Sequence, residues 1–282
     1  MDRWLVRVAR LLGATIGAFA GIAAVQFMRL RRMEFLPGHP GFWINHVVHP
    51  ASAARPGRPL RLAVLGDSTT AGVGVDRPDH ALPYLLARRL ADAERRPVHV
   101  VSYGWAGARV ADLARIQLPR ALEPLRASES TPFLPGADVV AIVIGANDAT
   151  HNTPPARFRA DLRATLQGIR DAAPDARIVL AGIPAFRGAL RGIEPLIFLA
   201  DQYARLLRPI ARAEAARAGA AHADLARGVP PLIRGRTDVL SSDRFHPSVV
   251  GYTAWAEVIF DALGSNGAAA TRRLGPAEPA GA

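Results

Sequence analysis

Ser68, Asn147, Asp243 and His246 are side chains whose types and settings suit chemistry at a carbonyl carbon. Ser68 lies in Leu62-Ala63-Val64-Leu65-Gly66-Asp67-Ser68-Thr69-Thr70-Ala71-Gly72, an apolar run that enters a small, hydroxyl-rich turn. A serine there has an exposed hydroxyl and nearby backbone N–H groups able to stabilise an anion. His246, in Asp243-Arg244-Phe245-His246-Pro247, can remove the serine proton. An Asp three residues earlier can fold back onto Nδ1, fixing the tautomer so that Nε2 faces the nucleophile. Asn147, in Gly145-Ala146-Asn147-Asp148, can offer a side-chain amide to an oxyanion. The glycines of Tyr103-Gly104-Trp105-Ala106-Gly107-Ala108 let the backbone approach a ligand and direct an N–H at it. Each segment alone has a plainer explanation: a helix cap at Ser68, an Asx turn or cap at Asn147, a tight turn at Gly107, a structural His before Pro247. Together, in this order, they supply the nucleophile, base, orienting group and anion donors of acyl transfer.

Positioning such groups at one edge requires a particular scaffold. From residue 60 the sequence alternates between short apolar runs and amphipathic stretches. The runs predict strands at 61–65, 98–102, 138–144, 177–182 and 220–224. Helices are expected near 79–95, 109–122, 155–173, 199–218 and 248–263. This is the pattern of an α/β protein with a parallel sheet, helices on both faces and right-handed crossovers. Ser68, Gly107 and Asn147 then all fall at carboxyl ends of strands, where open α/β sheets bind ligands.

The chain at this point resembles the SGNH hydrolases, also called GDSL lipases or esterases. The resemblance rests on Gly66-Asp67-Ser68, Gly107, Gly145-x-Asn147-Asp148 and Asp243-x-x-His246-Pro247, and covers roughly residues 60–262. It implies a flavodoxin-like three-layer α/β/α sandwich with a five-stranded parallel sheet in the order 2-1-3-4-5. It also implies Ser68 as nucleophile, His246 as base and Asp243 as its partner. The oxyanion hole would comprise the Ser68 and Gly107 N–H groups and the Asn147 amide. Two positions depart from the family pattern: Ser102 stands where Asn is common, and Arg109 where a small or acidic residue is. Arg109 is either a contact for an anionic substrate or a solvated residue of a first helical turn.

Composition narrows the remaining choices. Among 282 residues, the 35 basic side chains are all Arg and the net charge is +11. They scatter over helices such as Arg88, Arg89, Arg95, Arg96 and Arg205, Arg208, Arg212, with no aromatic-interleaved stripe, so no nucleic-acid partner is expected. No Cys is present, which excludes disulfides, thiol catalysis and thiolate metal sites. His39, His46 and His49 lack carboxylate or Cys companions at ligand spacing. No metal or cofactor is expected, because acyl transfer at this site needs none.

Residues 11–28 are uncharged and long enough to span a bilayer, between Arg3, Arg7, Arg10 and Arg29, Arg31, Arg32. An uncleaved anchor, a cleaved signal peptide and a buried helix all fit. The apolar run passes well beyond Ala18-Phe19-Ala20, which favours an anchor. The expected organisation is an N-terminal membrane or signal segment (1–32), a Pro-rich linker (33–59), the hydrolase domain (60–264) and a disordered tail (265–282). The domain is expected outside the cytoplasm, although the flanking Arg residues balance.

Substrate is less legible. Residues 183–199 are rich in large apolar side chains and follow the fourth strand. Asp67, Arg109, Phe186 and Phe198 are candidate substrate contacts; core packing explains the apolar residues equally well. The leading expectation is a serine esterase acting on lipid, lysophospholipid or thioester-like substrates. The alternatives are an O-acetyl esterase or acyltransferase of envelope polysaccharide, and a non-catalytic membrane-tethered binding protein. The oligomeric state is open.

Overall fold

The computed structural model describes residues 3–32, 41–125, 131–186 and 194–264. The expected tail at 265–282, His39 of the linker and residues 187–193 of the apolar segment lie outside the described residues.

Among the described residues six strands form one sheet: β1 (Asn45–Val48), β2 (Leu60–Gly66), β3 (Val98–Ser102), β4 (Val139–Val143), β5 (Arg177–Ala181) and β6 (Ala221–Ala223). Their order is β1-β3-β2-β4-β5-β6. The five strands from β2 onwards are parallel and keep the expected 2-1-3-4-5 arrangement. The sixth strand is the difference from expectation. β1 pairs antiparallel with β3, from Asn45 opposite Val101 to Val48 opposite Val98. It lies in the stretch taken as a linker. Ile44 and Val48 are buried, whereas Trp43 stays exposed. Such a short edge strand between prolines leaves almost no periodicity to detect.

Eight longer helical segments, α1 (Arg3–Arg32), α2 (Leu82–Glu94), α3 (110–121), α4 (Ala146–Thr150), α5 (Pro155–Ala172), α6 (Leu196–Arg217), α7 (Leu225–Leu232) and α8 (Val249–Gly264), and short 3-10 turns at Pro78–His80 and Leu134–Gly136 complete the described fold. The parallel strands are mainly apolar, and the central β4 wholly so, because both faces are covered. Alternate residues serve the two cores. Ala63, Leu65, Val140, Ile142 and Leu180 pack under α3, α4, α5 and α6. Leu62, Val64, Val139, Ala141 and Val179 pack under α2, α7 and α8. The result is a three-layer α/β/α arrangement.

Helix α7 was not expected, since Pro230 and Pro231 lie inside it. Asp224 caps it by accepting from the Arg227 N–H, and Leu225, Val229 and Leu232 bury one face. Helix α1 stands apart from the cores. An 18-residue window within its segment Arg3–Gln26 has a mean hydropathy of 1.8, and the helix is long and apolar enough to cross a membrane, by length and composition.

Candidate active site

The turn after β2 is held from several sides. The Asp67 N–H donates to Val143 O (3.2 Å), and Thr70 N and Ala71 N donate to Asp67 O at 3.0 and 3.2 Å. Gly66 comes so close to β4 that a Cβ there would lie 2.2 Å from Val143 O. Its peptide groups turn the other way, to Gln117 of α3. Gln117 Oε1 accepts from Gly66 N–H (2.8 Å), and Nε2 donates to Gly66 O (2.7 Å). Gln117 is completely buried and ends a π-helical turn, Leu113–Gln117. The Ser102 hydroxyl donates to Thr70 O (2.7 Å), so its role is to hold this turn.

Asp67 uses its carboxylate locally. One oxygen accepts from both Thr69 N–H (3.0 Å) and Thr69 Oγ1 (2.7 Å). Burial raises the Asp67 pKa, and the Thr69 bonds and the nearby His246 only partly oppose it.

The histidine arrives on a loop that folds back on itself. Leu240 bridges Pro247, and Ser241 N–H donates to His246 O (2.9 Å). Arg244 takes the left-handed conformation (φ 54°) at the tip. That reversal turns three donors inward: Asp243 Oδ1 accepts from Ser241 Oγ (2.6 Å), Phe245 N–H (2.9 Å) and His246 N–H (2.9 Å). Asp243 Oδ2 pairs with His246 Nδ1 at 2.6 Å. Burial alone would raise the Asp243 pKa. The bonds from His246, Ser241 and the two backbone N–H groups outweigh it, holding the carboxyl far below its ordinary range.

His246 Nε2 stands 3.0 Å from Ser68 Oγ, and both residues are largely buried. Two contacts seat the histidine loop against the nucleophile turn. A Cβ on Gly74 would lie 2.5 Å from Pro247 O and 2.9 Å from His246 Cβ, so only glycine allows this approach. The buried Tyr252 hydroxyl of α8 donates to Val73 O. The Phe245 ring meets the imidazole edge-on, centroids 5.0 Å apart.

Asn147 opens α4. Its Nδ2 donates one hydrogen to Ala108 O (3.0 Å), and an amide nitrogen carries a second. The next residue, the buried Asp148, accepts from Val110 N–H (2.9 Å); burial raises its pKa. Neighbouring side chains of α4 thus hold the loop that contains Gly107. Gly107 is exposed, with φ +83°.

Ser68, Asn147 and His246 open together into a cavity of about 260 Å³. Its polar lining among the described residues is Asp67, Ser68, Thr69, Asn147 and His246; the rest is apolar. Pro184, Ala185 and Phe186 form one wall, and Leu225, Val229, Ile233, Leu240 and Trp255 contribute to the other. Of the candidate substrate contacts, Asp67 and Phe186 line this cavity, while Arg109 and Phe198 do not. Arg109 is an exposed cap whose N–H donates to Asp112 Oδ2 (2.8 Å). Phe198 is exposed on the first turn of α6. Sequence reasoning missed Gln117 and Tyr252, whose polar atoms meet backbone that is 51 and 179 residues distant in sequence.

A mostly parallel α/β sandwich with a serine, a histidine and a carboxylate in series at one sheet edge defines a class of hydrolases that act on acyl groups. Residues 64–254 match the model of the GDSL-like lipase/acylhydrolase family, and the chain belongs to that family of ester-hydrolysing enzymes. It is 28% identical over 211 residues to the GDSL-like esterase Rv1075c of Mycobacterium tuberculosis. That match covers 72% of this chain and 62% of the relative, so a good part of the relative's length has no counterpart in it. Among solved structures, TesA is similar at 26% identity and a TM-score of 0.53, covering 72% of this chain and 97% of that one. The lipase/acylhydrolase of Enterococcus faecalis is similar at 25% identity and a TM-score of 0.54, covering 73% and 96%.

Proposed function

We propose that the protein is a serine esterase that works through an acyl-enzyme on Ser68, and that its substrates carry an apolar acyl chain, as lipid, lysophospholipid or thioester-like compounds do. The observation that carries this is the chain from Ser68 Oγ to His246 Nε2 (3.0 Å) and from His246 Nδ1 to Asp243 Oδ2 (2.6 Å). His246 removes the Ser68 proton as Oγ attacks the ester carbonyl, and Asp243 stabilises the imidazolium that forms. The carbonyl oxygen, now an anion, receives the Ser68 N–H, the Gly107 N–H and the second Asn147 amide hydrogen. The C–O bond to the alcohol breaks, and the alcohol leaves with the proton from His246. Water, deprotonated by His246, then attacks the acyl-enzyme, releasing the carboxylic acid and restoring Ser68. The apolar cavity favours this substrate class over acetyl groups on a polysaccharide. Helix α1 would tether the domain to a membrane, with the domain on its outer side.

The test is hydrolysis of p-nitrophenyl esters from acetate to palmitate by the full chain in detergent, beside Ser68→Ala. Turnover should vanish in Ser68→Ala while the melting temperature stays near wild type. Retained turnover removes Ser68 as nucleophile.

A further inference from the structure

The apolar wall formed by Pro184, Ala185 and Phe186 is held from behind by side chains of α6. Arg208 Nε donates to Ile183 O (3.0 Å), and its Nη2 donates to Pro184 O (2.7 Å) and to Asp201 Oδ1 (3.0 Å). Asp201 Oδ1 also accepts the N–H of Phe186 (3.2 Å). The sheet ladder ends just before this wall, where Gly182 N–H meets Ala223 O (2.8 Å). Pro184 has no N–H to extend it. The Asp201 side chain is 2% exposed and that of Arg208 is 20% exposed, so the ion pair is well shielded from solvent. Arg205 binds the other Asp201 oxygen (3.2 Å) from a 55% exposed position.

Neither Asp201 nor Arg208 lines the cavity. A guanidinium that spans two consecutive carbonyls fixes both position and orientation of that peptide, which a single point charge cannot do. We propose that Asp201 and Arg208 are positioning residues for acyl-chain selectivity: they hold the 183–186 wall, and with it Phe186, against the chain of the substrate. The inference rests on the acyl-enzyme reading of the same cavity. An acetyl group reaches only the polar end, near Ser68 and Asn147, and does not feel the wall. A longer chain does, and loses complementarity when the wall relaxes.

The experiment is the p-nitrophenyl ester series with Asp201→Asn, Arg208→Lys, the double variant and Arg205→Met. For octanoate and longer esters, KM in Asp201→Asn and Arg208→Lys should rise on the order of tenfold, the scale of a few lost apolar contacts. For acetate, kcat and KM should stay within about twofold, because the polar end is untouched. The double variant should be no worse than the more severe single one, since both act through one wall. Arg205→Met should keep the wild-type chain-length profile, as a solvent-exposed partner contributes little. Equal losses on acetate and octanoate, or an unchanged profile in both single variants, overturn the proposal. Should Asp201→Asn fold poorly, Arg208→Lys decides alone, because it keeps the buried charge pair and removes only the two-carbonyl grip. Ser68-dependent hydrolysis with an unmoved profile defeats this inference only; loss-free hydrolysis by Ser68→Ala defeats the reading beneath it.

Discussion

Asp67 and Asp243 flank the Ser68–His246 pair, and burial leaves them 3% and 8% exposed. They are the same residue type in one site, yet their pKa values move in opposite directions. Asp67 is the more deeply buried of the two, and their donors differ as well. Asp67 meets a single neighbour, Thr69, whose two donors share one oxygen, and the cost of burial dominates. Asp243 meets the imidazole, a hydroxyl and two N–H groups spread over both oxygens, and they overcome its smaller cost of burial. Burial sets the penalty for a charge, and local backbone geometry decides whether it is repaid. A carboxylate that stays ionised beside an imidazole can stabilise the imidazolium. The other, whose pKa burial raises, serves the turn instead.

Breaking the donor-rich side should have the larger effect. Asp243→Asn should reduce kcat on the order of 10⁴-fold by releasing the imidazole tautomer and orientation; a loss under tenfold would remove Asp243 from the proposed relay. The Asp243 charge should stabilise the fold fully above its ordinary value of 3.8. That contribution is lost as pH falls below 3.8 towards the depressed folded value, so the melting deficit of Asp243→Asn should shrink in acid.

Asn147→Ala tests the donor between the two loops. It should cost about 10² to 10³ in kcat as one oxyanion donor disappears; an unchanged rate would leave Asn147 only its bond to Ala108. The smallest effect is expected on the burial-dominated side. Asp67→Asn keeps an oxygen for Thr69 and leaves turnover near wild type. Because the folded pKa of Asp67 is raised, wild-type stability falls as pH rises from 3.8 through that value. The melting temperature of Asp67→Asn should therefore gain on wild type over this range and hold the gain at neutral pH. A gain that grows towards acid would reverse the sign assigned to Asp67.

The contrast also marks what sequence could disclose. Strands β2 to β6 are legible because parallel strands covered on both faces are short, mainly apolar runs, and the order of their blocks carries the family pattern. Ser68, Asn147, Asp243 and His246 are legible because each stands beside a local turn signal. β1 is hidden by its length and its prolines. The Asp201–Arg208 brace resembles any charged pair on an amphipathic helix until α6 is packed behind residues 183–186. Phe186 and Phe198 looked equivalent in sequence; the placement of one in the cavity and the other on the surface follows from packing, which residue type does not encode.

Gln117 stands in for a strand. β3 pairs with β2 only as far as Ser102 beside Val64, so Gly66 has outgrown its neighbour where it most needs one. The amide of Gln117 offers an acceptor and a donor in the spacing of a peptide, and so extends the sheet by one rung made from a side chain. The π-helical turn gives this rung its phase. With one residue fewer in Leu113–Gln117, regular winding would swing the amide roughly 100° about the helix axis, away from Gly66. An irregularity in a covering helix thereby governs how far the central strand can run before it delivers Ser68.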